Sequence, residues 1–164
     1  MRTAVIDSTP LINLVHLELV TELSLFFDIV YVPRQVQTEV NRKHRFRYLL
    51  RELLDRSILQ RCATVDKTNV ALLRLVIDEG EAEALIQAQE KSAAFFIGDD
   101  KRAREIAEAQ GLKSVGTVGI LARLELEGRA GETMVLVQEL RDLFNFRVAN
   151  EIVAQAIAAA TEPL

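Results

Sequence analysis

Carboxylates follow two apolar runs of the sequence, at the point where each run ends. Asp7 comes directly after Thr3–Ile6, and Asp99 and Asp100 come after Ala93–Ile97. In open parallel α/β sheets, ligands bind just beyond the carboxyl ends of the strands. We therefore expect these aspartates to lie at one edge of a sheet, where they could bind a cation.

Two glutamates are predicted to face the same edge. Glu39 lies beside Val36 and Val40, the apolar positions of a helix that follows a β-rich run, Ile29–Val32. Glu81 lies at the amino-terminal end of the apolar face of a later helix, because positions three and four apart share a helix face. By the same spacing, Glu83 is predicted to face water.

The same acids also have structural explanations. Asp78 and Glu81 have the spacing of a capping box, in which two side chains bind free backbone N–H groups at a helix start. Either Asp99 or Asp100 could cap the helix that follows them. Because one cap needs one aspartate, the second of that pair would be left for another role.

Several carboxylates brought within a few ångström raise one another's pKa values unless cations neutralise them. Oxygen ligands without Cys or His favour Mg²⁺ or Mn²⁺. The expected chemistry is attack of a metal-activated water on a phosphodiester. The predicted metal ligands and catalytic acids are Asp7, Glu39, Glu81 and Asp99, with Asp100 supporting or replacing Asp99.

A basic segment extends from Arg34 to Arg61, with aromatic residues interleaved. Its candidate binding residues are Arg42, Lys43, Arg45 and Arg47. Such a run can hold phosphates and stack bases, and it is equally typical of a solvated helix face or a partner-binding surface. The segment is therefore predicted to bind RNA or a protein partner, with a solvated helix face as the open alternative.

Strand-like runs alternate with helical patterns along the chain, which predicts a helix-rich α/β fold with a parallel sheet. We expect a short sheet of about four strands and a single domain over residues 1–164. Ile58–Arg61 is a further, brief extended piece. Thr9 and Pro10 predict the start of the first helix, with the hydroxyl as its cap, and Gly111 predicts the end of a later one.

Composition limits the class of protein. Of the 164 residues, 49% are hydrophobic and 27% are charged, which is typical of a globular domain. The single cysteine, Cys62, excludes an internal disulfide and a cysteine-based zinc site. No segment approaches the roughly 20 apolar residues of a membrane span, so we expect a cytoplasmic protein. The net charge of −4 confines any nucleic-acid binding to a local patch.

Taken together, several segments resemble the PIN domain, specifically prokaryotic PIN proteins similar to the VapC toxin ribonucleases. The resemblance extends from Arg2 to about Ala160 and rests on the order and spacing of its motifs. These are VIDSTPLINL, VPRQVQTEV, DEGEAEALIQA, FIGDDKRAREIAEAQGLKSVGTVGIL and LFNFRV.

The resemblance implies a three-layer α/β/α fold and a Mg²⁺- or Mn²⁺-dependent endoribonuclease, commonly a homodimer paired with a small antitoxin protein. Its first acid falls on Asp7, with Ser8 in support, and its second falls on Glu39. Its third, usually Asp, falls on Glu81 in a GEAEA variant of the motif, and its fourth falls on Asp99. Ile97 replaces the usual Thr or Ser two residues before that last acid.

Two other functions fit parts of the sequence. A catalytically silent module with the same fold would bind a partner or RNA without cutting it, and the changes at Glu81 and Ile97 favour that reading. A receiver-like phosphorylation switch also gathers acids around Mg²⁺, but it would need an acidic pair after the first strand and a lysine after a late one. Here Asp7 is followed by Ser-Thr-Pro, so this function ranks last.

Overall fold

The computed structural model describes residues 1–56, 58–64, 66–162 and 164. Contacts within this part of the chain form two compact units, Met1–Val115 and Gly116–Leu164. The first unit contains the sheet and the carboxylates, and the second is helical. That residues 1–164 form a single domain stays a prediction.

The first unit is built on a parallel sheet. Its strands are β1 (Thr3–Ile6), β2 (Ile29–Pro33), β3 (Leu59–Cys62), β4 (Phe95–Ile97) and β5 (Lys113–Val115). Among the described residues they form one five-stranded sheet in the order β3-β2-β1-β4-β5. In β1, Ala4 pairs with Val30 on one side and with Phe95 on the other. Every residue of β1 is buried, as expected for a central parallel strand covered on both faces.

Helices connect the strands and cover both faces of the sheet. They are α1 (Ser8–His16), α2 (Arg34–Arg42), α3 (His44–Arg56), α4 (Lys67–Leu73), α5 (Glu79–Glu90) and α6 (Lys101–Ala109), with a short 3-10 helix at Val20–Leu25. The chain moves outward from β1 to β2 and β3, then returns across β1 to β4 and β5. Helix α1 contacts α2 and α3, and α5 contacts α4 and α6. This grouping agrees with right-handed crossovers, which put α1 to α3 on one face of the sheet and α4 to α6 on the other. The α/β/α expectation is confirmed.

The strand order reverses direction between β1 and β4, which creates a crevice at their carboxyl ends. The backbone N–H of Asp7 donates a hydrogen bond of 2.9 Å to the carbonyl oxygen of Ile97. This bond holds the residue after β1 against the end of β4. The residues that follow β1 and β4, among them Asp7 and Asp99, therefore lie at this crevice.

The core between the sheet and the α5–α6 layer is made of small and aromatic side chains. Phe96 of β4 is fully buried, and Ala84, Leu85 and Ala103 pack in the same cluster. The alanines allow α5 and α6 to approach the strands closely. Helix α5 contacts β1, β2 and β4 together with α2, α4 and α6, so it is covered on several sides.

The second unit consists of α7 (Thr117–Leu126), α8 (Thr133–Phe144) and α9 (Asn150–Ala159), and α7 contacts both of the others. Two residues after the end of α7 lies Gly128, which has a φ of +65°. The next N–H, that of Arg129, reaches back to the carbonyl oxygen of Leu124 at 2.8 Å. This is the Schellman arrangement, in which a glycine satisfies carbonyls at a helix end.

The structure differs from two sequence predictions about the elements. The described sheet has five strands where about four were predicted, because the brief extended piece pairs with β2 as the edge strand β3. Helix α1 begins at Ser8 with Asp7 as its N-cap residue, so Thr9 and Pro10 lie inside its first turn. The predicted stop at Gly111, where φ is +82°, is confirmed.

No helix in the described ranges has the length and apolar character needed to cross a membrane.

Candidate active site

Asp7 is the most deeply buried acid of the crevice. Its side chain is 4% exposed, and its Oδ1 atom has no hydrogen-bond partner among the described residues. The pKa of Asp7 is raised to about 8, chiefly by burial and then by the carboxylates of Asp78, Glu81 and Glu39 in that order. The backbone N–H of Ser8, the first residue of α1, acts in the opposite direction. Burying a carboxylate oxygen without a hydrogen-bond partner lowers the stability of the fold. This position of Asp7 therefore indicates a functional role.

Glu39 meets Asp7 beside Gly80. A Cβ atom placed on Gly80 would lie 2.9 Å from Oε1 of Glu39, 3.3 Å from its Oε2 and 3.4 Å from Oδ1 of Asp7. Oxygens of the two carboxylates therefore converge on one point at the start of α5. Gly80 is the residue whose missing side chain makes room for both.

Glu81 has a structural contact as well as a place in the site. Its backbone N–H donates to Oδ1 of Asp78 at 2.9 Å, and its own Oε2 accepts from the backbone N–H of Asp78 at 3.1 Å. The predicted capping box is thus present. Glu81 is 8% exposed, which confirms that it faces inward.

The electrostatics of Glu81 match those of Asp7. The pKa of Glu81 is raised to about 7, chiefly by burial, and the hydrogen bond from the backbone of Asp78 opposes that rise. The carboxylates of Asp78, Asp100 and Glu39 contribute the rest of the increase. Glu39, Glu81 and Asp7 therefore form one repulsive carboxylate cluster, in which Asp78 and Asp100 take part from the rim.

Asp99 and Asp100 have different places in the loop after β4. Asp100 is the N-cap residue of α6, and its Oδ1 accepts a hydrogen bond of 2.8 Å from the backbone N–H of Ala103. Asp99 is half-buried and follows the strand end beside Asp7. Arg104 of α6 fixes the loop, because its guanidinium donates to the carbonyl oxygens of Gly98 and Asp99 at 3.1 and 2.8 Å.

Glu83 is half-buried and bonded to a neighbouring helix, so the prediction of a solvated side chain was wrong. Its Oε2 accepts a hydrogen bond of 2.6 Å from the backbone N–H of Gln35, in the first turn of α2. The side chain of Gln35 in turn donates from Nε2 to Oε1 of Glu39 at 3.3 Å. A helix start carries unpaired N–H groups and positive potential, so a carboxylate is well placed there. Glu83 thereby fixes the helix that carries Glu39.

Sequence reasoning missed the roles of Gly80, Asp78 and Glu83. Gly80 had a detectable signal, because glycine within a helix costs roughly 0.5–1 kcal/mol relative to alanine and so indicates a close approach. Asp78 was predicted only as a cap, although its charge also raises the pKa of Asp7. The contact of Glu83 joins residues 48 positions apart, and no local pattern indicates it.

The predicted basic residues lie on the surface. Arg42 ends α2, Lys43 follows it, and Arg45 and Arg47 belong to α3; all four are exposed. Arg45 stacks over the ring of Phe46 with its guanidinium carbon 5.7 Å from the ring centroid. Arg47 lines a cavity with residues of α2 and β3, and the other three lie outside that lining.

The donor set of the crevice suits a hard divalent cation. Over the ranges that the structure describes, no group of three His, Cys, Asp or Glu side chains is arranged to hold a metal ion. Mg²⁺ needs only one or two carboxylates, because it keeps most of its waters. Asp7 and Glu39 meet that requirement, since Oδ1 of Asp7 is unpartnered and the oxygens converge beside Gly80.

A family model described as "DUF3368: PIN domain" matches residues 3–162 of the chain. No curated protein matches it.

Proposed function

Because the chain belongs to the PIN-domain family DUF3368, and PIN domains are generally nucleases, we propose that it is a metal-dependent endoribonuclease. It would hydrolyse phosphodiester bonds of RNA. The observation that carries the proposal is the buried, unpartnered Oδ1 of Asp7, which converges with the carboxylate of Glu39 where the strand order reverses. Such an arrangement is unfavourable unless a cation occupies it.

Asp7 and Glu39 would hold the Mg²⁺ or Mn²⁺ ion, with Glu81 and Asp99 as further ligands. When bound, the cation lowers the pKa of a water molecule and neutralises charge on the phosphate oxygens. Asp7, whose pKa is raised to about 8, would release its proton to solvent in order to act as a carboxylate ligand. Glu83 and Gln35 hold Glu39 in position through their hydrogen bonds. Asp100 would support the site through its charge while it caps α6.

The finer biological role is also proposed. The motif order supports the toxin of a toxin–antitoxin pair, acting in the cytoplasm as a homodimer with a small antitoxin protein as its partner. The basic residues Arg42, Lys43, Arg45 and Arg47 would contact RNA or that partner, since all are exposed. Buried Cys62, whose thiol pKa burial raises to about 12, suits a reducing compartment where it stays unreactive.

Two features favour a second function, the absence of cleavage. Oε2 of Glu81 is already bound to the backbone N–H of Asp78, so the capping box competes with a cation for this side chain. Ile97 supplies no hydroxyl at the end of β4. A catalytically silent PIN module that binds RNA or a partner without cutting it fits both features.

The test is cleavage of a mixed RNA substrate by the purified protein with Mn²⁺, with EDTA, and with Asp7→Asn in place of the wild type. The nuclease proposal predicts cleavage that EDTA abolishes and that the variant lacks, while circular dichroism shows the variant to be folded. Equal cleavage by the wild type and the variant would contradict the assignment of Asp7.

Calorimetry with Mn²⁺ separates the two candidate functions. A nuclease should bind the cation in the wild type and lose that binding in Asp7→Asn. A silent module should bind RNA with the same affinity in Mn²⁺ and in EDTA, and leave the RNA intact.

A further inference from the structure

A cavity of about 280 Å³ lies on the α2–α3 side of the sheet, lined by three arginines. Arg47 and Arg51 come from α3, and Arg61 comes from β3. Gln37 and Asn41 of α2 complete the polar lining, and two leucines of α3 form its apolar part. The cavity is thus built from separate elements and not from one flexible segment.

The helices bring these side chains to the cavity through their regular spacing. Arg47 and Arg51 are four residues apart on α3, and Gln37 and Asn41 are four apart on α2, so each pair shares a helix face. The amide of Gln37 is held in place, because its Nε2 donates to the carbonyl oxygen of Val32 at 2.8 Å. Arg61 lies opposite Val32 in the β2–β3 pairing, close to the carboxyl end of both strands.

The charge of the cavity is uncompensated. Within the described part of the chain, no acidic side chain lines it, and none of its three guanidiniums has an ion pair or a hydrogen bond. Nearby Glu52 of α3 is paired with Arg56 at 3.0 Å. Three like charges around one small cavity repel one another, and an anion placed among them removes that repulsion.

Phosphate is the anion that this chemistry selects. The planar guanidinium offers paired N–H donors that match two phosphate oxygens, and amide groups add neutral donors. The protein carries a net charge of −4, so a basic cavity is a local departure from its overall charge. A nucleic-acid strand is the class of ligand that presents phosphates in a row to such a site.

Helix α2 connects the cavity to the carboxylate crevice. Gln37 and Asn41 lie on one face of α2, whereas Gln35 and Glu39 share the opposite face. A helix is only about 10–12 Å across, so one RNA segment can extend from the crevice to the cavity. We propose that Arg47, Arg51 and Arg61 form a phosphate-binding subsite for the RNA backbone, outside the cleavage site. This inference rests on RNA being the substrate class of the proposed function.

The test measures RNA binding without cleavage. Fluorescence anisotropy of a labelled single-stranded RNA would be recorded in EDTA with Asp7→Asn as the background, over a range of salt concentrations. Arg51→Gln and Arg61→Gln should each weaken binding about five- to tenfold and reduce the slope of log K against log salt by about one. Arg102→Gln, an exposed arginine of α6 on the other side of the sheet, is the matched control.

Two outcomes would overturn the subsite. One is an unchanged salt slope in both cavity variants. The other is a loss of RNA affinity in the cavity variants equal to the loss in Arg102→Gln, which would indicate only a general effect of charge. Competition with inorganic phosphate distinguishes RNA from free phosphate as the ligand. If the cavity binds RNA, a large excess of free phosphate should be needed to release the RNA. Tight binding of free phosphate that excludes RNA would overturn the RNA assignment.

The outcomes for the phosphate subsite and for the nuclease can be told apart. Wild-type cleavage combined with cavity variants that bind RNA normally would leave the nuclease and remove the subsite. Absence of cleavage combined with a reduced salt slope in Arg51→Gln would leave the subsite and favour the silent, RNA-binding module. The three arginine variants replace exposed side chains, and thermal unfolding verifies that each variant, including Asp7→Asn, is folded.

Discussion

The carboxylate of Glu83 accepts a hydrogen bond of 2.6 Å from the backbone N–H of Gln35. This contact ties α5, which carries Glu81, to the first turn of α2, which carries Glu39. Because Gln35 also donates to Oε1 of Glu39, the geometry of the crevice depends on a residue outside it. Glu83 is therefore a positioning residue, and its role is separable from those of the acids that it positions.

Replacing Glu83 should affect both stability and the site. Glu83→Ala leaves an N–H at the start of α2 unpaired, which costs about 1–2 kcal/mol of unfolding free energy. We expect metal-dependent cleavage to fall about tenfold as Glu39 loses its fixed position, and Glu83→Gln, which keeps an acceptor, to restore most of it. Urea unfolding and Mn²⁺ titration measure the two effects. The control is Glu79→Ala, whose side chain is exposed on the same helix and pairs with Arg74 at 3.4 Å; an equal loss in that variant would contradict the positioning role.

Gly80→Ala should damage the site while leaving the fold intact. The new Cβ would lie 2.9 Å from Oε1 of Glu39, closer than such contacts permit, so the carboxylate must move. Alanine favours the helix by roughly 0.5–1 kcal/mol, which offsets part of the strain. The expected result is a stability within about 1 kcal/mol of wild type and Mn²⁺ affinity lowered tenfold or more. Gly131→Ala is the matched control, since its Cβ would meet only Leu136 at an ordinary 4.0 Å. Wild-type Mn²⁺ affinity in Gly80→Ala would show that the carboxylates do not need this space.

The sequence predicted the acids that depend on strand ends and failed for contacts between distant elements. Asp7 and Asp99 were predictable because a short buried strand followed by a carboxylate is a local pattern, and the β1–β4 pairing brings them to neighbouring strand ends. Glu83 was predicted to face water from its helix spacing. That inference assumes one covered side, whereas α5 contacts helices as well as the sheet. Gln87 is fully buried and donates to Oγ1 of Thr64 at 3.0 Å.

The strand count was predicted imperfectly for a related reason. Edge strand β3 has exposed Gln60 and Arg61 between buried Leu59 and Cys62, so it lacks the continuous apolar run of the inner strands. The pairing of β3 with β2 is a tertiary contact, and the hydrophobic periodicity of the sequence does not predict it. The same strand supplies Arg61 to the basic cavity. The basic segment of the sequence includes the three arginines, but it does not indicate that they meet in one cavity.

Asp7 should make the stability of the cation-free protein fall as pH rises. The pKa of Asp7 is about 8 in the folded protein against an ordinary value of 3.8, so between those pH values the folded state retains a proton that the unfolded state has lost. Stability attributable to Asp7 is therefore complete below about pH 4 and is lost as pH rises to about 8. Asp7→Asn removes this dependence. In EDTA it should be more stable than wild type by a few kcal/mol, on the order of 3–5, at about pH 8 and nearly equal to it at about pH 4.

Urea unfolding of both proteins across that pH range measures the difference. Glu81, whose pKa is raised to about 7, contributes a slope of the same sign in both proteins and cancels in the comparison to a first approximation. Asp55→Asn, at an exposed position of α3, is the matched control and should show no such trend. A stability difference between Asp7→Asn and wild type that stays constant with pH would exclude a protonated, buried Asp7.

The roles of Asp99 and Asp100 should be distinguishable when each residue is changed to asparagine. Asn caps a helix about as well as Asp, so Asp100→Asn should keep the hydrogen bond to the N–H of Ala103 and retain most stability and cleavage. Asp100→Ala loses that cap and should cost about 1 kcal/mol of unfolding free energy. Asp99→Asn should unfold like wild type but lose metal-dependent cleavage about a hundredfold, because a carboxylate ligand beside Asp7 is replaced by a neutral amide. The assignment of the fourth acid would pass to Asp100 if cleavage instead survived in Asp99→Asn and disappeared in Asp100→Asn.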